Sequence, residues 1–257
     1  MFVTTAGRTN PDMIEEAKTI ALELECPYQE RRKKSVQTLQ SLYKGDCIVV
    51  GKERLELFLM NSDEPFFFHP NSSMFRIKRL LKYEHDPFID ATGLVKGMSL
   101  LDCTLGLASD SIVASFVVGA SGKVVGTEEN KYLAYLVSRG LKSWQSGLAG
   151  MDEAMRAISV QHSSALSYIK KIPSNEFDCV YIDPMFEETI LESDGIRALA
   201  ELAVYSEVRE EFISEAKRVA RRRLVLKDHF RSKRFEQFGF SVMKRPSAKF
   251  HFGIITK

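Results

Sequence analysis

The chain has 257 residues, 44% of them hydrophobic and 27% charged, enough for one main domain with its own core and a smaller appendage. A formal net charge of +2 excludes any argument for nucleic-acid binding from the total, yet residues 206–257 hold 14 Lys/Arg against 6 Asp/Glu, leaving 22 against 28 elsewhere. Cys26, Cys47, Cys103 and Cys179 have neither zinc-site nor disulfide-framework spacing. No apolar run approaches the roughly 20 residues of a membrane span, and the first residues lack a signal-peptide layout. A metal-free, soluble cytoplasmic protein with reduced thiols is expected.

Residues 1–64 read as a small N-terminal α/β subdomain and residues 65–257 as the main domain. The apolar run Phe2-Val3-Thr4-Thr5 precedes a helix start at Asn10 and Pro11, cap followed by proline. Ile14, Ala17, Ala21 and Leu24 follow at helical spacing and predict one buried face, which Pro27 ends. After the basic run Arg31-Arg32-Lys33-Lys34, Cys47 to Val50 and Leu55 to Met60 predict two strands joined by a turn at Gly51 to Arg54. Pro65 to Pro70 reads as a connector, and Met74 to Tyr83 as an amphipathic basic helix.

From Met98 onward strand-like and helix-like segments alternate, the pattern of a parallel sheet with crossover helices. Strands are predicted at Ser99 to Cys103, Lys123 to Thr127, Ile158 to Gln161, Phe177 to Ile182 and Arg222 to Lys227. Helices are predicted at Asp110 to Val118, Lys131 to Leu141, Ala165 to Lys171 and Glu207 to Ala220. Phe240 to Lys244 and Phe250 to Thr256 are too close for a helical crossover, so they should pair antiparallel.

The chemistry gathers at strand ends. The first strand closes in Asp102-Cys103-Thr104-Leu105-Gly106-Leu107-Ala108-Ser109-Asp110, where Gly106 can let backbone amides approach a ligand at a helix N-terminus, or can form a plain βα turn. The second strand delivers Glu128, which can accept hydrogen bonds from both ribose hydroxyls of an adenosine; an acid there also suits the helix dipole. His162-Ser163-Ser164 ends the third strand, with hydroxyls that can meet an adenine edge or cap a helix. The sharpest signal ends the fourth strand, at Asp183-Pro184-Met185-Phe186. It resembles the motif with which class I amino-methyltransferases hold a base. The Asp183 carboxylate and the Pro184 carbonyl can accept both hydrogens of an exocyclic amine, and Phe186 can stack on its ring.

On these motifs the chain resembles the J-type small-subunit ribosomal RNA guanine methyltransferases and their uncharacterised Gram-positive relatives. The resemblance runs from about His69 to Lys257 and extends to Arg223-Leu224-Val225-Leu226-Lys227 and Lys249-Phe250-His251-Phe252. It implies a Rossmann-like α/β class I fold with an antiparallel C-terminal strand and S-adenosyl-L-methionine as cofactor. It also implies cofactor contacts at Ser109, Asp110, Glu128, Glu129, Ser164, Ala165 and Asp183, beside Asp102 and Gly106 of the first loop. Three departures stand out. Ala108 and Ser109 replace the second glycine and the arginine of the family's Gly-Leu-Gly-Arg-Asp loop, Glu187 replaces a proline, and the basic segment that follows becomes acidic.

The expected activity is methyl transfer to an exocyclic amine of a nucleic-acid base, with guanine in small-subunit rRNA as acceptor. Arg222, Arg223, Lys227 and Arg231 are the expected phosphate contacts of the basic C-terminal segment. A methyltransferase of a small molecule or protein, or a catalytically silent binding module, are the alternatives.

Overall fold

The computed structural model describes all residues except 61, 63, 84, 185–207 and 247. The described residues form two units, Met1–His69 and the residues from Pro70 onward.

In the first unit β1 (Phe2–Thr5) pairs parallel with β2 (Cys47–Val50), and β2 pairs antiparallel with β3 (Leu55–Phe58). Helix α1 (Pro11–Glu23) starts where predicted, because the Asn10 side chain accepts the Met13 N–H and Pro11 occupies the first turn. Its buried face is Met13, Ala17, Ile20 and Ala21, with Ile14 only half-buried, so the apolar stripe is turned slightly from the predicted one. Helix α2 (Val36–Tyr43) is an addition to the prediction, capped by Ser35, which accepts the Thr38 N–H. Phe66 bridges to Leu57, so the expected connector begins as an edge of this sheet.

The second unit opens with α3 (Asn71–Tyr83) and α4 (Pro87–Thr92). The parallel strands are β4 (Ser99–Asp102), β5 (Lys123–Glu128), β6 (Ile158–His162), β7 (Phe177–Ile182) and β8 (Ala220–His229). Their crossovers include α5 (Ser109–Val118), α6 (Lys131–Ser143), α7 (Met151–Arg156), α8 (Ala165–Ile169) and α9 (Glu210–Val219). A short α10 (Arg234–Gln237) leads to β9 (Ser241–Met243) and β10 (Phe250–Thr256), and β10 runs antiparallel to both β8 and β9. The sheet order is β6-β5-β4-β7-β8-β10-β9. This is the expected Rossmann-like α/β architecture with an antiparallel C-terminal strand. Helices α4, α7 and α10 were not predicted.

Two sequence features build this sheet. All six residues of β7 are buried, as a central parallel strand covered on both faces requires. At the opposite ends of the strands, the Asp178 carboxylate accepts the Ser99 N–H and hydroxyl at 2.9 and 3.0 Å, which ties β7 to β4. The order of connection reverses between β4 and β7, and the crevice beyond such a switch point is where open α/β sheets bind ligands. No described helix is long and apolar enough to cross a membrane.

Candidate active site

The loop after β4 is shaped by backbone conformation and by one missing side chain. Gly106 and Ala108 both take left-handed conformations, at φ +48° and +60°, which turn the chain sharply into the N-terminus of α5. Leu105 lies over Gly126 of β5, where a Cβ would stand 2.3 Å from the Leu105 Cδ1. Glycine at 126 therefore lets the loop settle on the sheet. The buried Asp102 carboxylate braces the turn from within: Oδ1 accepts the Thr104 N–H at 3.0 Å and Oδ2 the Ser111 hydroxyl at 2.7 Å. Burial pushes the Asp102 carboxyl up to about 7, against the hydrogen bonds that favour its charged form.

Glu128 ends β5 beside this loop. Its carboxylate accepts the Asn130 N–H at 2.9 Å and backbone N–H groups of Gly106 and Glu129, so the loop and the second strand end meet at one acidic group. Burial raises the Glu128 carboxyl above its ordinary range, while those donors pull it down. His162, at the end of β6, is the register partner of Glu128.

A charge cluster lies on the other side of the switch point. Asp183, directly after β7, donates its backbone N–H to the Thr104 hydroxyl at 2.7 Å and pairs through Oδ2 with Lys227 Nζ at 2.5 Å. Lys227 also lies 3.6 Å from Asp110 Oδ2, which accepts the Tyr181 hydroxyl at 2.8 Å. Asp110 Oδ1 pairs with Arg76 of α3, and Arg76 and Arg79 both hold Asp86, the N-cap of α4. Burial pushes Asp110 up, but Lys227 and Arg76 outweigh it and hold this carboxyl low. Burial and the Asp110 charge leave Asp183 raised despite Lys227, and Lys227 is raised by the two carboxylates against its own burial. Carboxylates and cations here alternate, which a desolvated cluster needs if it is to stay charged.

Residues 33–246 match the family described as "Putative SAM-dependent methyltransferase". The chain belongs to this SAM-dependent methyltransferase family. It is 49% identical over 254 residues to the uncharacterised protein YpiP of Bacillus subtilis, covering 99% of this chain and 98% of that one. Its fold is similar to the crystal structure of the SAM-dependent methyltransferase NGO1261 from Neisseria gonorrhoeae, with a TM-score of 0.63 and 14% identity over 100% of this chain and 96% of the other.

The predicted residues take distinct places in this methyltransferase. Gly106, Ser109, Glu128 and Glu129 gather along the first two strand ends. The Ser164 hydroxyl caps α8 by accepting the Ser167 N–H at 3.3 Å, and Ala165 is the first residue of that helix. The Asp102 oxygens are taken by Thr104 of the loop and Ser111 of α5, and the Asp110 carboxylate is turned into the charge cluster, so as side chains these two build the site from behind. Asp183 and Pro184 stand at the switch point, whereas Phe186 lies outside the described residues.

Two of the expected phosphate contacts are engaged within the fold. Lys227 is ion-paired with Asp183 and Asp110 and is not a surface grip, because β8 carries it inward at the site edge. Arg223 lies near the start of β8, at the edge away from the site, and donates to the carbonyls of Asp90 and Ala91 at 3.0 and 2.9 Å, ending α4. Arg222 lies at that same far edge, exposed and 3.6 Å from Asp178. Arg231 follows the other end of β8, on the site side, exposed beside Phe230.

The arrangement suits S-adenosylmethionine. Positive-φ turns at Gly106 and Ala108 lead the chain into the N-terminus of α5, and Glu128 ends the neighbouring strand, where its carboxylate would accept ribose hydroxyls. The bound cofactor supplies an electrophilic methyl group on a sulfonium. The chain's own part is placement: the loop and Glu128 would hold the nucleoside, and Thr104 fixes the Asp183 backbone across the switch point. Lys227 orients one carboxylate oxygen of Asp183. The sequence reading missed Thr104, Arg76 and Asp86; the signal available for Asp86 was its place before Pro87, a cap followed by a first-turn proline.

Proposed function

We propose that this methyltransferase modifies an exocyclic amine of a nucleic-acid base, with guanine in small-subunit rRNA of the cytoplasm as acceptor. The observation that carries the reading is the setting of Asp183-Pro184 at the switch point. Lys227 holds Oδ2 of Asp183, leaving Oδ1 for one amine hydrogen, and the Pro184 carbonyl can take the other. With both hydrogens accepted, the nitrogen lone pair faces the methyl carbon. It forms the new C–N bond as the C–S bond breaks with its electron pair on sulfur, and the nitrogen then loses a proton to solvent. Such catalysis is mainly orientation. The resemblance of Asp183-Pro184-Met185-Phe186 to the J-type motif supports a base as the amine's bearer.

Labelled methyl groups should pass from the cofactor into ribosomal subunits or naked rRNA, and nucleoside mass spectrometry should find them on the guanine amine. Asp183→Ala should abolish the transfer. Product at adenine or cytosine refutes guanine and spares the mechanism; label found only in protein or in a small metabolite refutes the nucleic-acid acceptor.

A further inference from the structure

The site edge of the sheet carries a surface that the methyl-transfer machinery does not use. Strand β8 continues past Lys227 to His229, and antiparallel β10 begins opposite it at Phe250, so the turns flanking these strand ends emerge on the Asp183 side. Between His229 and His251 the chain carries six Lys/Arg and one acid, Glu236. Much of the C-terminal positive charge thus falls in the segment that borders this edge.

Aromatic rings are interleaved with those cations. Phe230 is 43% exposed, an apolar ring left in water. The His229 ring lies 4.6 Å from it, the His251 ring 6.1 Å and the Arg231 guanidinium 5.0 Å. Next to it, half-buried Phe250 has Lys227 Nζ at 4.8 Å and the Arg245 guanidinium at 4.4 Å. The Arg245 N–H donates to His251 Nδ1 at 3.2 Å, fixing the turn against the strand. Lys227 therefore touches both the Asp183 carboxylate and this aromatic floor. A flat apolar face among cations complements a ligand of stacked rings on a polyanionic backbone.

We infer that this rim, Phe230 with Arg231, Lys244 and Arg245, is the track for single-stranded RNA flanking the acceptor nucleotide, a neighbouring base stacking on Phe230 while its phosphates meet the cations. The inference rests on the RNA reading above. Phe230 follows Lys227 by three residues, about 10 Å of extended chain, so a base close to the acceptor in the same strand meets it. It also relocates the RNA interface from Arg222 and Arg223, which lie at the opposite edge and are engaged with Asp178 and with α4 carbonyls.

The test is fluorescence anisotropy of the full chain with a short labelled single-stranded RNA across a salt series, with adenosylmethionine affinity measured in parallel to verify folding. Phe230→Ala should weaken RNA binding by roughly 5- to 150-fold. Arg231→Ala and Lys244→Ala should each flatten the salt dependence by about one unit of slope, the share of one phosphate no longer neutralised. Arg222→Ala should bind as wild type, and all four variants should keep cofactor affinity. If Phe230→Ala and Arg231→Ala bind RNA like wild type while methyl transfer to RNA persists, the rim is wrong and the acceptor reading stands. A wild-type protein that binds cofactor but neither binds nor methylates RNA overturns both, as does one that takes an acidic peptide in RNA's place.

Discussion

Lys227→Met removes the ammonium that stands 2.5 Å from Asp183 and 3.6 Å from Asp110. Two unit charges about 4 Å apart interact by about 4 kcal/mol at an effective dielectric of about 20, and removing one partner of a buried pair costs about 3–5 kcal/mol. The Lys227 and Asp183 side chains remain 18% and 22% exposed, which places the expected loss at the lower end; about 3 kcal/mol at neutral pH is the expected figure. The sign of its pH dependence follows from Asp183. Its carboxyl is already raised by burial, with Lys227 opposing, so without the lysine it must rise further. A carboxyl raised in the folded state costs nothing below its ordinary range, where both states are protonated, and costs more as pH rises through the folded-state value. Lys227 itself is raised, so its contribution to wild-type stability is fully present below the ordinary lysine range and lost only above it. The Asp110 share of the deficit should therefore be present throughout, because Lys227 helps hold that carboxyl low, while the Asp183 share should grow as pH rises from the ordinary carboxylate range toward neutrality. Urea unfolding followed by circular dichroism across that interval measures it. A deficit that is independent of pH, or smaller than about 1 kcal/mol at neutral pH, refutes the assignment of Lys227 as the counter-charge of this pair.

Glu128→Ala should weaken adenosylmethionine binding by about 1–3 kcal/mol, read by calorimetry, because it removes an acceptor for the ribose hydroxyls and releases the Gly106 amide; unchanged affinity would remove Glu128 from the site. Gly126→Ala would press a methyl group on Leu105, and a thermal-shift assay should show a loss of about 1–3 kcal/mol together with weaker cofactor binding as the loop is lifted. Ala108→Gly relieves a left-handed alanine but removes a fully buried methyl, so the two effects should nearly cancel, leaving stability within about 1 kcal/mol and cofactor affinity intact. A large loss of affinity in that variant would mean that the alanine does more than occupy the place of the second glycine in the loop it resembles.

Much of this molecule was legible before folding because its determinants are local. The parallel sheet announces itself in short apolar runs separated by helices, and Gly106, Glu128 and Asp183 could be singled out because each lies at or just after a strand end, at the edge where α/β sheets bind ligands. The Ala108 departure could be seen in the sequence, but only its φ of +60° shows that the turn of the missing glycine is kept. The short helices α2, α4, α7 and α10 escaped notice, α7 because its left-handed Gly150 start carries no capping side chain. The fate of the charges was decided by tertiary structure alone. Arg76, Asp86, Asp110, Asp183 and Lys227 come from α3, α4, α5 and the ends of β7 and β8, and nothing in their spacing joins them into one cluster. Lys227 and Arg223 read as phosphate grips in a basic segment, yet one lies against Asp183 and the other ends α4. The sequence states which groups carry charge, while packing decides which of them lose their water, and a charge without water must find a partner inside the fold.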